Sequence, residues 1–161
     1  MFIDMDNFIQ QHIRPDSIFI VGGGPSLNKI NLDQLNANHI FTIACNQAFQ
    51  LLPNATIAHH SDFSWWKAHK ISLENDFTGK LITGCGLGTN QNYPNSSSVY
   101  KLNTIRFDNK HEFLINHDLV YGNNCGLQAV SLAHFFIPKN IILIGFDFKA
   151  DQDNTHGYHQ A

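Results

Sequence analysis

The sequence predicts an α/β fold, a mostly parallel sheet with helices on both faces, and three observations carry that prediction. Apolar runs of strand length alternate along the chain with segments of helical pattern. One of them, Ile141–Ile144, is continuously apolar, as strands covered on both faces are. The stretch Ser17–Leu27 runs from an apolar strand through three glycines into Pro25 and Ser26, residues that can open a helix.

Taken in order, the first strand is expected at Ser17–Val21 and a helix at Leu27–Leu35 follows its glycine turn. A second strand, His39–Ala44, and a third, Thr56–His59, precede a helix over Asp62–Lys70, which Asp62 is suited to cap. The strand Lys80–Thr83 leads into Thr83–Asn109, rich in Gly, Asn and Ser, which reads as irregular loop around one short strand. A helix at Asn124–Phe136, with Asn124 as its cap, and the strand Asn140–Ile144 complete the pattern. No linker or repeat divides residues 1–161, so one domain is expected, with 149–161 a polar, histidine-containing tail.

Size and composition bound the function. A chain of 161 residues buries roughly 70% of the surface its unfolded form exposes, enough for a core without staples. Apolar residues make up 43%, charged residues 14% and the net charge is −3, which offers no basic field for duplex nucleic acid. Cys45, Cys85 and Cys125 leave an odd thiol under any pairing, and the start Met-Phe-Ile-Asp-Met-Asp is acidic where a signal peptide is basic. No apolar run is long enough for a membrane span, and a cytoplasmic setting is expected.

In open parallel sheets, ligands sit outside the carboxyl ends of the strands. There the sequence is polar five times over: Gly22, Gly23, Gly24, Pro25 and Ser26; Cys45, Asn46 and Gln47; His59, His60, Ser61 and Asp62; Asn124, Cys125 and Gly126; and Gly145, Phe146 and Asp147. Glycines before a helix start let backbone amides approach a phosphate, which points to a nucleotide. The spacing lacks the second half of both the dinucleotide fingerprint and the lysine-bearing P-loop, and a tight turn that lets a helix pack on the sheet explains it equally well.

Four of these blocks, in order from Ser17 to Phe148, resemble a known group. Val21–Leu27 looks like the Gly-x-Gly-Pro-Ser-Leu cradle of the bacterial sialyltransferases that use cytidine-monophosphate sialic acid, and Cys45-Asn46-Gln47 like their Cys-Asn-Gln. Asn124-Cys125-Gly126 is similar to their Ser-Gly helix start and Gly145–Phe148 to their Gly-Ile-Asp-Phe strand end. The wider superfamily contains 6-hydroxymethylpterin diphosphokinase-like proteins and phage-encoded proteins, the latter closest in layout. The resemblance implies a single Rossmann-like domain in which Gly22–Ser26 meet a nucleotide phosphate. It also implies that Asn46, with Gln47, meets base or sugar, that Asn124, Cys125 and Gly126 meet the nucleotide through the helix start, and that His159 or His156 acts as base. Departures accompany it: Gly23 replaces an asparagine, Cys125 a serine and Lys149 an aromatic residue, and no separate lid domain precedes the histidines.

Each site has a plainer reading. His156 and His159, near Asp151 and Asp153, have too few ligands at the wrong spacing for zinc, so a general base fits better and no metal is expected. Of Trp65 and Trp66 only one can face the core; the other can stack on a ligand. Cys125 at a helix start has the setting of a nucleophile, but the resemblance, in which a cysteine also stands at the place of Cys45 beside the asparagine, implies packing under the ligand instead. The leading reading is a glycosyltransferase-like transferase that takes a nucleotide-activated donor as substrate and holds no permanent cofactor. The alternatives are a pterin-type diphosphokinase, in which Asp62 and Asp147 would reach Mg²⁺, and a nucleotide-binding protein without catalysis.

Overall fold

The computed structural model describes residues 4–85, 93, 99–105 and 117–147. The chain forms α1 (Met5–His12), β1 (Ser17–Val21), β2 (Thr42–Cys45), α2 (Ala48–Leu51), β3 (Ile57–His60), α3 (Phe63–Asp76) and β4 (Lys80–Cys85). It continues through β5 (Val99–Ile105), β6 (Leu119–Tyr121) and α4 (Cys125–Ala133) to β7 (Asn140–Ile144). The strands make one sheet in the order β6-β5-β4-β3-β2-β1-β7, and every pairing is parallel. Among the described residues no helix is long and apolar enough to cross a membrane.

Alternation along the strands divides the core into two layers. Ile18, Ile20, Ile43 and Ile57 pack against Phe8 and Ile9 of α1 and Leu132 and Ala133 of α4. Val21, Ala44 and Ala58 point to the other face, where Leu27, Phe49, Trp66 and Leu73 cover them. Fully burying Ile20 or Phe49 contributes roughly 1.5–3 kcal/mol each. The same alternation sends His59 and His60, at the end of β3, to opposite faces.

The expected helices at Asp62 and Asn124 are present, and both caps form: Asp62 accepts the Ser64 amide and Asn124 the Leu127 amide. The expected helix Leu27–Leu35 is instead two 3-10 turns, Pro25–Lys29 and Asp33–Asn36. Asn31 explains the break, because its side-chain oxygen accepts the Asp33 amide and offers the backbone an alternative to helix. β2 begins at Thr42, three residues after the expected start, and α1 and β6 were not expected. α1 carries buried Met5, Phe8 and Ile9 at helical spacing behind an Asp4 cap, a readable signal in a short segment.

β7 also departs from expectation. Its apolar run predicted burial on both faces, yet Ile142 and Leu143 are 38% and 46% exposed. The strand lies at the sheet edge beside β1, so hydrogen bonding rather than cover on both sides places it.

Candidate functional site at the carboxyl rim of the sheet

Two junctions tie the carboxyl ends of β1, β2, β3 and β7 to the start of α4. At the first, the carbonyl of His59 accepts both the Asn46 amide, at 2.9 Å, and the Cys125 thiol, at 3.2 Å. Asn46 turns the chain there with a positive φ of 51°, a conformation asparagine tolerates better than most residues. At the second, the Phe146 ring lies between two glycines. A Cβ on Gly22 would stand 3.0 Å from its Cε2, and one on Gly126 2.5 Å from its Cε1. Only backbone without side chains lets the β1 turn and the α4 start close on the ring.

The glycine turn is engaged with β7. The Gly22 amide donates to Ile144, the Gly24 amide to Gly145, and Ser26 gives its amide (2.7 Å) and hydroxyl (2.5 Å) to the Asp147 carboxylate. A carboxylate thus already sits on the Ser26 donors, and the segment from Pro25 is a 3-10 turn rather than the expected helix start. Among the described residues the Gly23 amide has no such partner. At α4 the Leu127 amide is capped and the Gln128 amide turns back to the Asn124 carbonyl, which among the described residues leaves the Cys125 and Gly126 amides without a partner at the helix's positive end.

Between β2 and β3 the structure gathers residues that the sequence pattern did not single out together. Gln47 donates to His69 Nε2 at 3.2 Å, which places the His69 proton on Nδ1. The Trp65 ring lies 4.6 Å from the His69 ring and 5.1 Å from that of His60. Trp66 is the tryptophan that faces the core, and Trp65 is half-buried. His60 is 1% exposed, and among the described residues neither ring nitrogen has a hydrogen-bond partner, nor does the buried indole nitrogen of Trp65. Burial, then the neighbouring His59, pushes the His60 imidazole down to about 3. Leaving such groups unpaired costs roughly 1–3 kcal/mol each, so they mark where a polar partner is missing.

On the opposite face Gln128 binds His59 Nε2 through its oxygen at 3.3 Å and donates to the Gly122 carbonyl at 3.2 Å. Gly84 admits that amide, since a Cβ there would stand 2.3 Å from the Gln128 oxygen. Burial brings His59 down to about 4. A single amide in the apolar face of α4 was the available signal for Gln128, and the four-residue spacing from Trp65 that for His69.

The cysteines are buried thiols. Contact with the Cys125 thiol, and then burial, pushes Cys45 well above the ordinary thiol value. Asp62 caps α3, and the Ser64 hydroxyl and amide hold its carboxyl below the usual range. Among the described residues no three His, Cys, Asp or Glu side chains gather as a metal set. His156, His159 and Lys149 lie outside the described residues.

No curated protein matches the chain. Among solved structures it is similar to the MAf glycosyltransferase from Magnetospirillum magneticum AMB-1, with 15% identity and a TM-score of 0.57 over 87% of this chain and 24% of that one. The chain therefore spans about a quarter of that protein's length, and the likeness is one of fold. The family model described as 6-hydroxymethylpterin diphosphokinase MptE-like matches residues 3–153, nearly the whole Rossmann-like domain with every rim segment described above. On that match, the chain belongs to the MptE-like family.

Proposed function

We propose that the carboxyl rim binds a nucleotide-activated donor and that the protein transfers a group from it, with glycosyl transfer as the reaction. The observation that carries this reading is the pair of junctions at the His59 carbonyl and the Phe146 ring, which hold the Gly22 turn, Asn46 and the α4 start together. The open amides of Cys125 and Gly126, with that of Gly23, suit a donor phosphate. Asn46 and Gln47 would meet base or sugar, and the half-buried Trp65 ring, backed by His60, would stack on it. The helix-start amides would stabilise the charge gathering on the departing phosphate. His159 or His156 would take the acceptor hydroxyl's proton as its oxygen bonds to the sugar carbon and the sugar–phosphate bond breaks.

A diphosphokinase-type transfer from ATP is the second reading, favoured by the family's description. It asks Asp62 and Asp147 to hold Mg²⁺, and each is already an acceptor for a serine. Calorimetry with nucleotides and nucleotide sugars tests binding, and the products separate the two reactions: free nucleotide from a nucleotide sugar, or AMP from ATP. Asn46→Gly keeps the positive φ while removing the side chain, and is expected to weaken nucleotide binding about tenfold, the worth of one to two lost hydrogen bonds. His159→Ala should abolish turnover with affinity retained. No nucleotide binding at millimolar concentration would overturn the proposal.

A further inference from the structure

At the opposite edge of the sheet, where the strands begin, a cavity of about 610 Å³ opens between α1 and the amino ends of β2, β3 and β4. That volume falls in the range of small-molecule sites, roughly 300–1,000 Å³. Its walls are set by the protein's own bonds. Thr56 donates its hydroxyl to the Ile40 carbonyl and accepts the Thr42 amide; Thr78 bonds Pro53 and Asn54; and the Asn54 amide reaches Asn36. Gly79 closes the wall on the turn that precedes β3, since a Cβ there would stand against the Ala55 carbonyl oxygen. The apolar lining comes from Phe8, Ile13, Ile40 and Phe41.

The charge of the lining is one-sided. Lys80 and the imidazoles of His12 and His39 border the cavity, and among the described residues no carboxylate does. His12 donates through Nδ1 to the Phe8 carbonyl at 2.9 Å and is held edge-on by the Phe41 ring at 5.6 Å, which leaves Nε2 as its second polar atom. Asn38 and Gln11 add neutral polar groups to the rim. A preformed pocket with an apolar body, a cation and no opposing acid fits one chemical class.

The geometry points to a second ligand site at the amino edge of the sheet, one that takes a small organic anion with an apolar or aromatic body, its charge at Lys80 and its body against Phe8 and Phe41. The site is separate from the carboxyl rim and does not depend on the function proposed for it. The test uses 1-anilinonaphthalene-8-sulfonate, an aromatic anion, titrated into the whole chain and followed by fluorescence and by amide chemical shifts. Expected are one saturable site, shifts centred on His12, His39 and Lys80, and affinity that falls about fivefold in Lys80→Glu and by less in Lys80→Gln, in line with removal or reversal of one partly solvated charge. Lys80 is an exposed side chain at the start of β4, and the unbound melting temperature of both variants should match the parent within about 2 °C, as for surface substitutions. Shifts confined to Gly23, Asn46 and Asn124, or an affinity that both variants leave unchanged, would overturn the assignment.

Discussion

Ile137 has a left-handed backbone, φ 51° and ψ 52°, at the end of the 3-10 turn His134–Phe136, and its side chain is 51% exposed. A β-branched residue is strained there, whereas glycine is not. Ile137→Gly should therefore raise stability by about 1 kcal/mol, read as a rise of roughly 2–4 °C in melting temperature. The paired histidines of β3 have the opposite character. Their folded values, about 4 for His59 and about 3 for His60, lie below the unfolded value of 6.5. Above pH 6.5 both states are neutral and stability is complete; as pH falls toward 4 and then 3, the unfolded chain takes protons that the native one refuses. Each histidine then removes about 1.4 kcal/mol per pH unit over its window. Urea unfolding at pH 7, 5.5 and 4.5 measures the loss, and His60→Phe, which keeps a ring between Trp65 and Tyr93, should roughly halve its slope, leaving the share of His59, without lowering stability at pH 7. At this scale the sequence showed which residues stand on the rim, because strand ends can be read from apolar runs. It did not show that the Asp147 carboxylate would occupy the Ser26 donors, a pairing across 121 positions that no local pattern encodes.

The helices that were legible are those with side-chain caps, Asp62 for α3 and Asn124 for α4. The segment after the glycine turn misled because its apolar spacing is helical while Asn31 diverts the backbone. The union of α4 with the rim rests on Gly126, where a methyl group would meet the Phe146 ring at 2.5 Å. Gly126→Ala should cost about 1–3 kcal/mol as overpacking, and adding Phe146→Leu should restore part of it, a coupling that a double-mutant cycle by thermal unfolding will reveal. The apolar run of β7 predicted a strand correctly and its cover wrongly, because apolar, β-branched residues favour strand in any part of a sheet and do not report whether helices cover both faces of it. Its position beside β1 follows only from the register Ser17 with Asn140 through Val21 with Ile144.

For the whole molecule, alternation of strands and helices was enough to predict a parallel sheet between two helical layers, and chain order from β1 to β6 follows spatial order. The exception is the return of β7 to the far side of β1, a crossover over the α1 and α4 face that the sequence leaves open. That return sets the timetable of assembly during synthesis, which proceeds from the amino end at about 5–20 residues per second. Every strand from β2 to β6 can dock on a neighbour already made, but Gly22, Gly24 and Ser26 must wait for Ile144, Gly145 and Asp147 in turn. A chain halted at residue 139 would thus expose the Gly22 and Gly24 amides to rapid hydrogen exchange, while the full chain protects them. The glycine turn is made well before β7 and becomes rigid only with it, so a ribosome-bound nascent chain carries an unfinished rim until β7 arrives.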